Sequence, residues 1–128
     1  MKLTLVHLCA LALSLLACSS TPQNPTLCEL AADMDSFANR TVTVEGTLLV
    51  SKHGSAVTDA SCGKGIAISW NAPNEALREL NDAVDRAQDL PDRQLPKVRV
   101  TGQMRRVPRS PMLDEPYWEL RLSSAQVL

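Results

Sequence analysis

The feature that most constrains the fold of this chain is a strict alternation of residue types between positions 41 and 50. Apolar residues and one glycine (Val42, Val44, Gly46, Leu48, Val50) alternate with mostly polar ones (Thr41, Thr43, Glu45, Thr47, Leu49). Period-two alternation rich in β-branched residues is typical of a strand with one buried face. Gly46 lies on the apolar side, where a missing side chain indicates a bulge or a sharp coil. Residues 98–102 repeat the spacing Val-x-Val-x-Gly, which predicts a second strand equivalent to the first.

With the strand around 98–102 included, the pattern predicts four strands after the first, and two helices. Apolar spacing of three and four residues predicts a short helix over 27–37 and a longer one over 75–90, with Asn74 as the N-cap of the second. Alternation predicts strands over 55–58, 65–70, 97–106 and 117–127. The proline-rich segment 105–116 is expected to be an irregular connection.

The order β-β-β-α-β-β, with a glycine inside a long first strand, resembles the OB-fold. The resemblance covers most of the segment 41–128 and rests on topology, since no short motif carries it. It is similar in particular to small exported bacterial OB-like proteins. The expected fold is therefore mainly β: a single five-stranded OB-like barrel with one helix between strands three and four and a short N-terminal helix. The alternative is an open α+β sheet with the helix on one face.

The N-terminus has the layout of an export signal. Met1-Lys2 is a short basic start, and 3–16 is a nearly unbroken apolar run that is too short to anchor the chain by crossing a bilayer. The run ends Leu15-Leu16-Ala17-Cys18, which resembles the lipobox of bacterial lipoproteins. That resemblance implies cleavage before Cys18 and lipid attachment (diacylglyceryl and palmitate-type acyl chains) at this residue. Ordinary cleavage after Ser19, giving a soluble periplasmic protein, is the alternative.

The resemblance also implies an address. Serine at position 19, directly after the lipid-bearing cysteine, is similar to the signal that sends lipoproteins to the outer membrane, where the domain faces the periplasm. Residues 19–26 contain two prolines and no apolar residue, so they read as a flexible tether. The expected organisation is a signal peptide at 1–17, a tether at 18–26 and the OB-like domain at 27–128.

The cysteines predict one disulfide. Cys9 leaves with the signal peptide and Cys18 carries lipid, so Cys28 and Cys62 remain in a compartment that oxidises thiols. We expect them to be bonded. A redox-active pair is one alternative, but the C-x-x-C spacing is absent. A metal site that joins both cysteines to His53 is another, with suitable ligand types but no diagnostic spacing.

No constellation of catalytic residues appears in the sequence. The expected mature chain has a single histidine, His53, which we interpret as a solvated turn residue, and no Gly-x-Ser-x-Gly motif. We therefore expect a protein that is not an enzyme and has no cofactor or resident metal. The net charge of −1 argues against a nucleic-acid partner, because such binding depends mainly on phosphate neutralisation.

One charge feature suggests a binding face. Basic residues cluster late in the chain, and five residues form the candidate face: Arg99, Arg105, Arg106, Arg109 and Tyr117. Tyr117 has the parity of the polar strand positions and is the better candidate for an exposed aromatic platform, whereas Trp70 and Trp118 have the parity of the core. The leading hypothesis is a non-enzymatic adaptor that contacts an envelope protein through this face. The alternatives are binding of an anionic glycan or small ligand and, less favoured, an enzyme or metal-handling protein.

Overall fold

The computed structural model describes residues 23–71, 74–91, 94–109 and 115–128. The expected signal peptide, the lipobox and Cys18 lie outside these residues. Over the ranges described, no helix combines the length and the apolar composition needed to cross a bilayer.

The described part is mainly β, with five strands and two short helices. The strands are β1 (Thr41–Ser51), β2 (Gly54–Asp59), β3 (Lys64–Ser69), β4 (Lys97–Val107) and β5 (Tyr117–Val127). The helices are α1 (Leu27–Ala32) and α2 (Arg78–Ala87), which is entered through a 3₁₀ turn at Glu75–Leu77. The expected strand count and the helix between the third and fourth strands are confirmed.

The strands form one mixed sheet whose hydrogen-bond ladders make a closed ring in the order β1-β2-β3-β5-β4. All pairs are antiparallel except β3 with β5. The ring closes because β1 is long enough to pair with two strands. Its residues 41–47 pair with β4, and its residues 47–51 pair with β2.

The two Val-x-Val-x-Gly segments are hydrogen-bonded to each other. Val42 lies opposite Gly102, Val44 opposite Val100, and Gly46 opposite Val98. Each glycine thus faces the first valine of the other segment. The absence of a side chain at Gly46 lets β2 approach, since a Cβ there would lie 2.6 Å from the Thr58 carbonyl oxygen.

The bulge suggested for Gly46 lies elsewhere. Gly46 keeps regular register with Val98, and the irregularity in the sheet falls between Thr101 and Gly102, where β4 meets β5. Both glycines have the same spacing from the preceding valines in the sequence, so only the strand pairing shows which of them lies at the irregularity.

The core fills the inside of the ring. Each of the five strands contributes buried inward residues, among them Leu48, Val57, Ile66, Val100 and Leu120. Leu27 and Leu30 of α1, together with Leu77 and Leu80 around the start of α2, pack into the same cluster. The helices therefore add apolar side chains to the core.

The N-terminal helix is shorter than expected. A single helix over 27–37 was predicted, but α1 ends at Ala32 and a separate 3₁₀ turn follows at Met34–Phe37. Ser36 donates a hydrogen bond to the Asp33 carboxylate, and such local side-chain bonds compete with helix continuation. The start of α1 is well defined, because Thr26 and Glu29 form a capping box.

The other boundary corrections are smaller. Asn74 is the N-cap as predicted and accepts a hydrogen bond from the Ala76 N–H, but α2 ends at Ala87 rather than residue 90, and 3₁₀-type turns follow. Strand β4 runs to Val107, so the start of the segment predicted to be irregular from Arg105 is strand, paired with Glu119, Trp118 and Tyr117.

The chain is already docked before α1. The Gln23 N–H donates to the Thr41 carbonyl and the Gln23 carbonyl accepts from the Thr43 N–H, which makes a parallel bridge beside β1. The part of the expected tether from Gln23 to Thr26 therefore lies on the domain.

Candidate ligand groove

A row of outward-facing residues crosses the sheet near its middle. Register places Leu49 beside Ala56, Ala56 beside Ala67, Ala67 beside Glu119, and Glu119 beside Arg105. These positions alternate with the buried ones, so their side chains point away from the core. Because Ala56 and Ala67 on neighbouring strands have short side chains, the surface is depressed in the middle of the row. An exposed leucine lies at one end of the row and an ion pair at the other.

The low part of this row is the floor of a groove of about 550 Å³ on the outside of β2, β3 and β5. Pockets for small ligands commonly fall in the range of roughly 300–1,000 Å³. The groove is lined by small side chains with a few larger ones at its rim: Leu49, Ser51, His53, Gly54, Ser55, Ala56, Ala67, Ile68, Ser69, Tyr117 and Glu119.

Glu119 is a buried acid at this surface. It is 7% exposed although it points outward, and its Oε1 lies 3.0 Å from Nε of Arg105. Burial of a carboxylate is costly unless a cation or hydrogen-bond donors accompany it. Arg105 therefore supplies this partner and fixes the position of the Glu119 carboxylate in the groove.

Ser69 contributes a second polar group to the groove. Its hydroxyl oxygen is buried and has no hydrogen-bond partner among the described residues. Buried polar groups in proteins are normally paired, so an exception calls for an explanation. A ligand that reaches the groove floor could supply the partner.

Tyr117 stands at the edge of the groove, on the same outer face as Glu119 and Arg105. It lies opposite Val107 at the start of β5, diagonal to Arg105, and it is half-buried. Diagonal neighbours on one face are within reach of aromatic and long side chains. Its strand parity places Tyr117 on the outer face, although the residue is half-buried rather than exposed, and its role as a ligand platform stays a prediction.

The arginines of the candidate face do not lie together. Nε of Arg99 is 2.7 Å from Oε1 of Glu45, and its Nη1 donates to Oε1 of Gln126 at 3.1 Å. Six residues of strand separate Arg99 from Arg105, which corresponds to about 20 Å. Arg99 thus belongs to a different part of the outer surface from Arg105 and Tyr117.

Arg106 and Arg109 take two further positions. Arg106 is on the opposite face of β4 from Arg105, and its guanidinium carbon lies 5.6 Å from the ring centroid of Trp118, a cation–π contact. Arg109 is exposed in the segment that follows β4. Trp118 and Trp70 both pack against the core cluster, as their parity predicted.

His53 lies in the hairpin between β1 and β2. It is exposed, and its backbone N–H donates to the Ser51 hydroxyl at 3.2 Å. The interpretation as a turn residue is confirmed. The sequence did not indicate that this hairpin also forms one end of the groove.

The predicted disulfide between Cys28 and Cys62 is confirmed, with a Cα–Cα distance of 6.0 Å. It ties α1 to the turn between β2 and β3. Because the sulfurs are bonded to each other, neither offers a thiolate to a metal in the oxidised protein. His53, the third ligand considered from sequence, lies in the other hairpin, whereas the neighbouring acid is Asp59. Hydrogen bonds from the Ser61 hydroxyl and then from its backbone N–H hold the pKa of Asp59 below its usual value. Desolvation opposes them, and the charge of Lys97 adds a smaller lowering.

The groove itself was missed from the sequence, although a signal for it existed. Ala56 and Ala67 occupy outward positions on two consecutive strands, where larger polar residues are usual. Two small residues alone do not make a groove, however. They do so here because register aligns them, and the sequence carries no direct record of register.

Similarity to known proteins is confined to structure. No protein-family model matches the sequence, and no curated protein matches it. Among solved structures, the chain is similar to the crystal structure of a putative aspartyl-tRNA synthetase from Leishmania major Friedlin, with a TM-score of 0.55 and 12% identity. The match covers 84% of this chain and 21% of that one, so this chain spans about a fifth of that protein's length. At this identity the likeness concerns the fold alone.

Proposed function

We propose that this chain is a lipid-anchored, non-enzymatic binding module of the bacterial cell envelope, and that its ligand lies in the groove on β2, β3 and β5. The single observation that carries the proposal is the groove floor. There, a buried carboxylate and a buried hydroxyl line the same groove as small residues and a half-buried tyrosine. Concave sites with a few convergent polar groups are the usual places for ligands.

The finer fold that we propose is an OB-like barrel rather than an open α+β sheet. The strand registers support the barrel. The row of paired residues that begins at Leu49 on β1 ends at Arg105 on β4. Gln103, two residues before Arg105, pairs with Thr41 of β1. The row therefore returns to β1 near position 39, ten residues before its starting point (49 − 39). Such a stagger is the geometric condition for strands to close around an axis. In OB-folds, the face of strands two and three binds ligands.

The preferred ligand is a short segment of an envelope protein. An exposed leucine and a half-buried tyrosine on either side of an alanine floor provide apolar contact for one or two side chains. The arginines offer little net positive charge at the groove, since Arg105 is paired with Glu119 and Arg99 with Glu45. We therefore place the ligand in the groove and not along a strip of arginines.

A glycan is the second candidate, and the polar groups of the floor favour it. A carboxylate and a hydroxyl beside an aromatic ring can bind sugar hydroxyls while the ring covers an apolar sugar face. Because Arg105 is already paired with Glu119, the groove favours a neutral sugar over the anionic glycan suggested by the sequence. The likeness to an aspartyl-tRNA synthetase adds no nucleic-acid ligand, because a chain of net charge −1 is poorly suited to one.

The proposed location in the cell envelope rests on the N-terminal sequence. The lipobox at 15–18 supports a lipid on Cys18 and tethering to the outer membrane, facing the periplasm. Two or three acyl chains anchor a protein stably, where one chain is marginal. A soluble periplasmic protein is the alternative.

A matched pair of groove variants tests the function. Ala67→Phe fills the groove floor, and Gln126→Phe places the same ring on an exposed outer position of β5. Wild type and Gln126→Phe should capture the same protein from gently solubilised envelopes, while Ala67→Phe should lose at least about tenfold in recovery. Equal recovery by Ala67→Phe, with its fold verified by circular dichroism, would overturn the proposal. Displacement of the captured protein by a neutral envelope oligosaccharide would favour the glycan.

A further inference from the structure

The segment that precedes α1 sets the direction from which the chain reaches the domain. Gln23 forms a parallel bridge with Val42, through backbone hydrogen bonds to Thr41 and Thr43. Because the bridge is parallel, the chain at Gln23 runs in the same direction as β1. It therefore comes onto the sheet from the end at which β1 begins, and Cys18, the expected lipid site, is attached at that end.

The short connection to Cys18 limits how the domain can sit on a membrane. Five residues of chain lead from Cys18 to Gln23 (23 − 18), and they reach at most about 18 Å when fully extended. Nine residues of strand separate Val42, the bridge partner of Gln23, from Ser51 at the end of β1 (51 − 42), which corresponds to about 30 Å along the strand. An orientation with the β1–β2 hairpin on the membrane would place Gln23 beyond the reach of the lipid. The geometry therefore favours the beginning of β1 as the end that faces the membrane.

The beginning of β1 lies next to the end of β4. The Asn39 N–H donates to the Met104 carbonyl at 2.8 Å, and the Met104 N–H donates to the Arg40 carbonyl at 3.0 Å, so Arg40 is level with Met104. Strand β4 continues beyond this level to Val107. Three exposed arginines lie here, before β1 and at or after the end of β4, and we call them the anchor-end arginines: Arg40, Arg106 and Arg109.

The charges of the anchor-end arginines are available to an external anion. None of the three forms an ion pair with an acid among the described residues, whereas Arg105 is paired with Glu119. Arg106 lies over the Trp118 ring, a contact that does not neutralise its charge. The planar guanidinium group matches the geometry of phosphate oxygens and binds them through two parallel N–H groups.

Nearby acids keep the net charge of this end low. Asp33 and Asp35 precede Arg40 in and before the 3₁₀ turn, and Glu115 lies just before β5, whose first residue pairs with the last residue of β4. Attraction of the whole end to a charged surface is therefore weak. Contact with lipid at this end depends on the tether and on individual arginines.

We propose that the domain stands on the membrane with the beginning of β1 towards the lipid, and that the anchor-end arginines bind the phosphate groups of phospholipid headgroups. The β1–β2 hairpin, with Lys52 at its turn, then points away from the membrane. This inference rests on the lipid proposed for Cys18 and is independent of the ligand proposed for the groove.

Quenching by lipid headgroups tests the orientation. The lipidated chain is produced in Gram-negative cells, checked by mass spectrometry, and reconstituted into vesicles of phosphatidylethanolamine and phosphatidylglycerol that contain a headgroup-spin-labelled lipid. In this chain Cys18 carries lipid and Cys28 is bonded to Cys62, so a single introduced cysteine can be labelled with a fluorophore. The fluorophore on Pro108→Cys should lose most of its emission, and the fluorophore on Lys52→Cys should keep it.

Arginine and bridge variants identify the contacts, with the fluorophore at position 108. Arg40→Ala combined with Arg106→Ala should lower the ratio of docked to undocked domain at least about fivefold, since one arginine near an anionic surface contributes about this factor. Lys52→Ala is the matched control and should leave the quenching unchanged. Gln23→Pro removes the N–H donor of the bridge and should weaken the quenching, whereas Gln23→Ala keeps the backbone donor and should behave as wild type does.

Flotation of each labelled protein with the vesicles separates two kinds of failure. A protein that floats but is quenched equally at both positions, or more strongly at position 52, would overturn the orientation while the lipid anchor stands. Unchanged quenching in the double arginine variant would overturn the assignment of the arginines to lipid phosphates. A chain that carries no lipid and does not float would remove the anchor, and this proposal with it.

Discussion

At the scale of single residues, Ser69 distinguishes a ligand site from a merely structural surface. Its buried hydroxyl lacks a partner among the described residues, and an unpaired buried polar group costs about 1–3 kcal/mol. Retaining such a group on a groove floor is consistent with stability being given up for binding. Removing the hydroxyl should therefore increase stability and weaken ligand binding.

Ser69→Ala should raise the free energy of unfolding by about 1 kcal/mol, because it removes the unpaired hydroxyl. The same variant should bind the envelope ligand more weakly than wild type. Urea unfolding and capture experiments measure the two effects. Ser55→Ala, in the same groove, is the control and should change stability by less than about 0.5 kcal/mol. A destabilised Ser69→Ala would mean that the hydroxyl is satisfied by water.

The glycines make a second prediction at this scale. A Cβ on Gly102 would lie 2.9 Å from Cα of Leu122, where neither backbone can give way easily, whereas a Cβ on Gly63 would meet nothing within 4 Å. Gly102→Ala should therefore cost about 2 kcal/mol or more through overpacking. Gly63→Ala, at φ +64°, should cost only about 1 kcal/mol of backbone strain. Denaturant midpoints of the two variants give the comparison, and a smaller loss for Gly102→Ala would contradict the close strand approach.

At the scale of elements, the disulfide joins α1 to the β2–β3 turn. Cys28 and Cys62 are 34 residues apart in sequence, and closing a loop of that length in the unfolded chain stabilises the folded state by roughly 3–4 kcal/mol. α1 contributes Leu27 and Leu30 to the core but has only six residues. A helix this short depends on tertiary contacts, so the bond that holds it should affect the whole domain.

Replacing both cysteines by serine should lower the melting temperature by more than about 10 °C, as expected for a loss of a few kcal/mol in a domain of this size. Adding a reductant to wild type should have the same effect and should leave the double variant unchanged. Calorimetry with thiol counting before each scan checks this. A wild-type transition that reductant does not move, although both thiols are titrated, would show that the bond contributes little.

The elements also show what sequence patterning can and cannot predict. Strands β1 and β4 were predicted because inward residues such as Val44 and Val100 alternate with polar ones. The disulfide was predicted from the cysteine count and the expected export of the chain. The break after Ala32 was missed, because the Asp33–Ser36 hydrogen bond is a local competitor that apolar spacing does not reveal. The end of β4 was predicted to within one residue, but the overlapping prediction of an irregular segment from Arg105 was wrong, because residues 105–107 pair with β5.

At the scale of the whole molecule, three regions share the outer surface. The groove lies on β2, β3 and β5, the Arg99–Glu45 pair lies along β1 and β4, and the disulfide turn joins α1 to the ring. From sequence, Arg99 and Arg105 looked like parts of one basic face. Each instead meets an acid on a neighbouring strand, and such pairs are set by register, which the sequence does not record.

The anchoring proposed for the molecule makes a separate prediction. The mature chain should begin at Cys18 and carry two or three acyl chains, so it should partition with membranes and have a mass above that of the polypeptide. Cys18→Ala should appear unprocessed or in a soluble fraction. Mass spectrometry of the chain produced in Gram-negative cells, with fractionation of the variant, measures both. A mature chain that begins at Ser20 without lipid would support the soluble alternative.

The most direct test of the central claim is site-specific photo-crosslinking in living cells. A photoreactive amino acid is placed at Ala56 in the groove or, as control, at Gln126 on the distant outer face of β5. We predict a discrete adduct with one envelope component from position 56 and none from position 126. The same adduct from both positions, or from position 126 alone, would contradict the assignment of the groove as the ligand site.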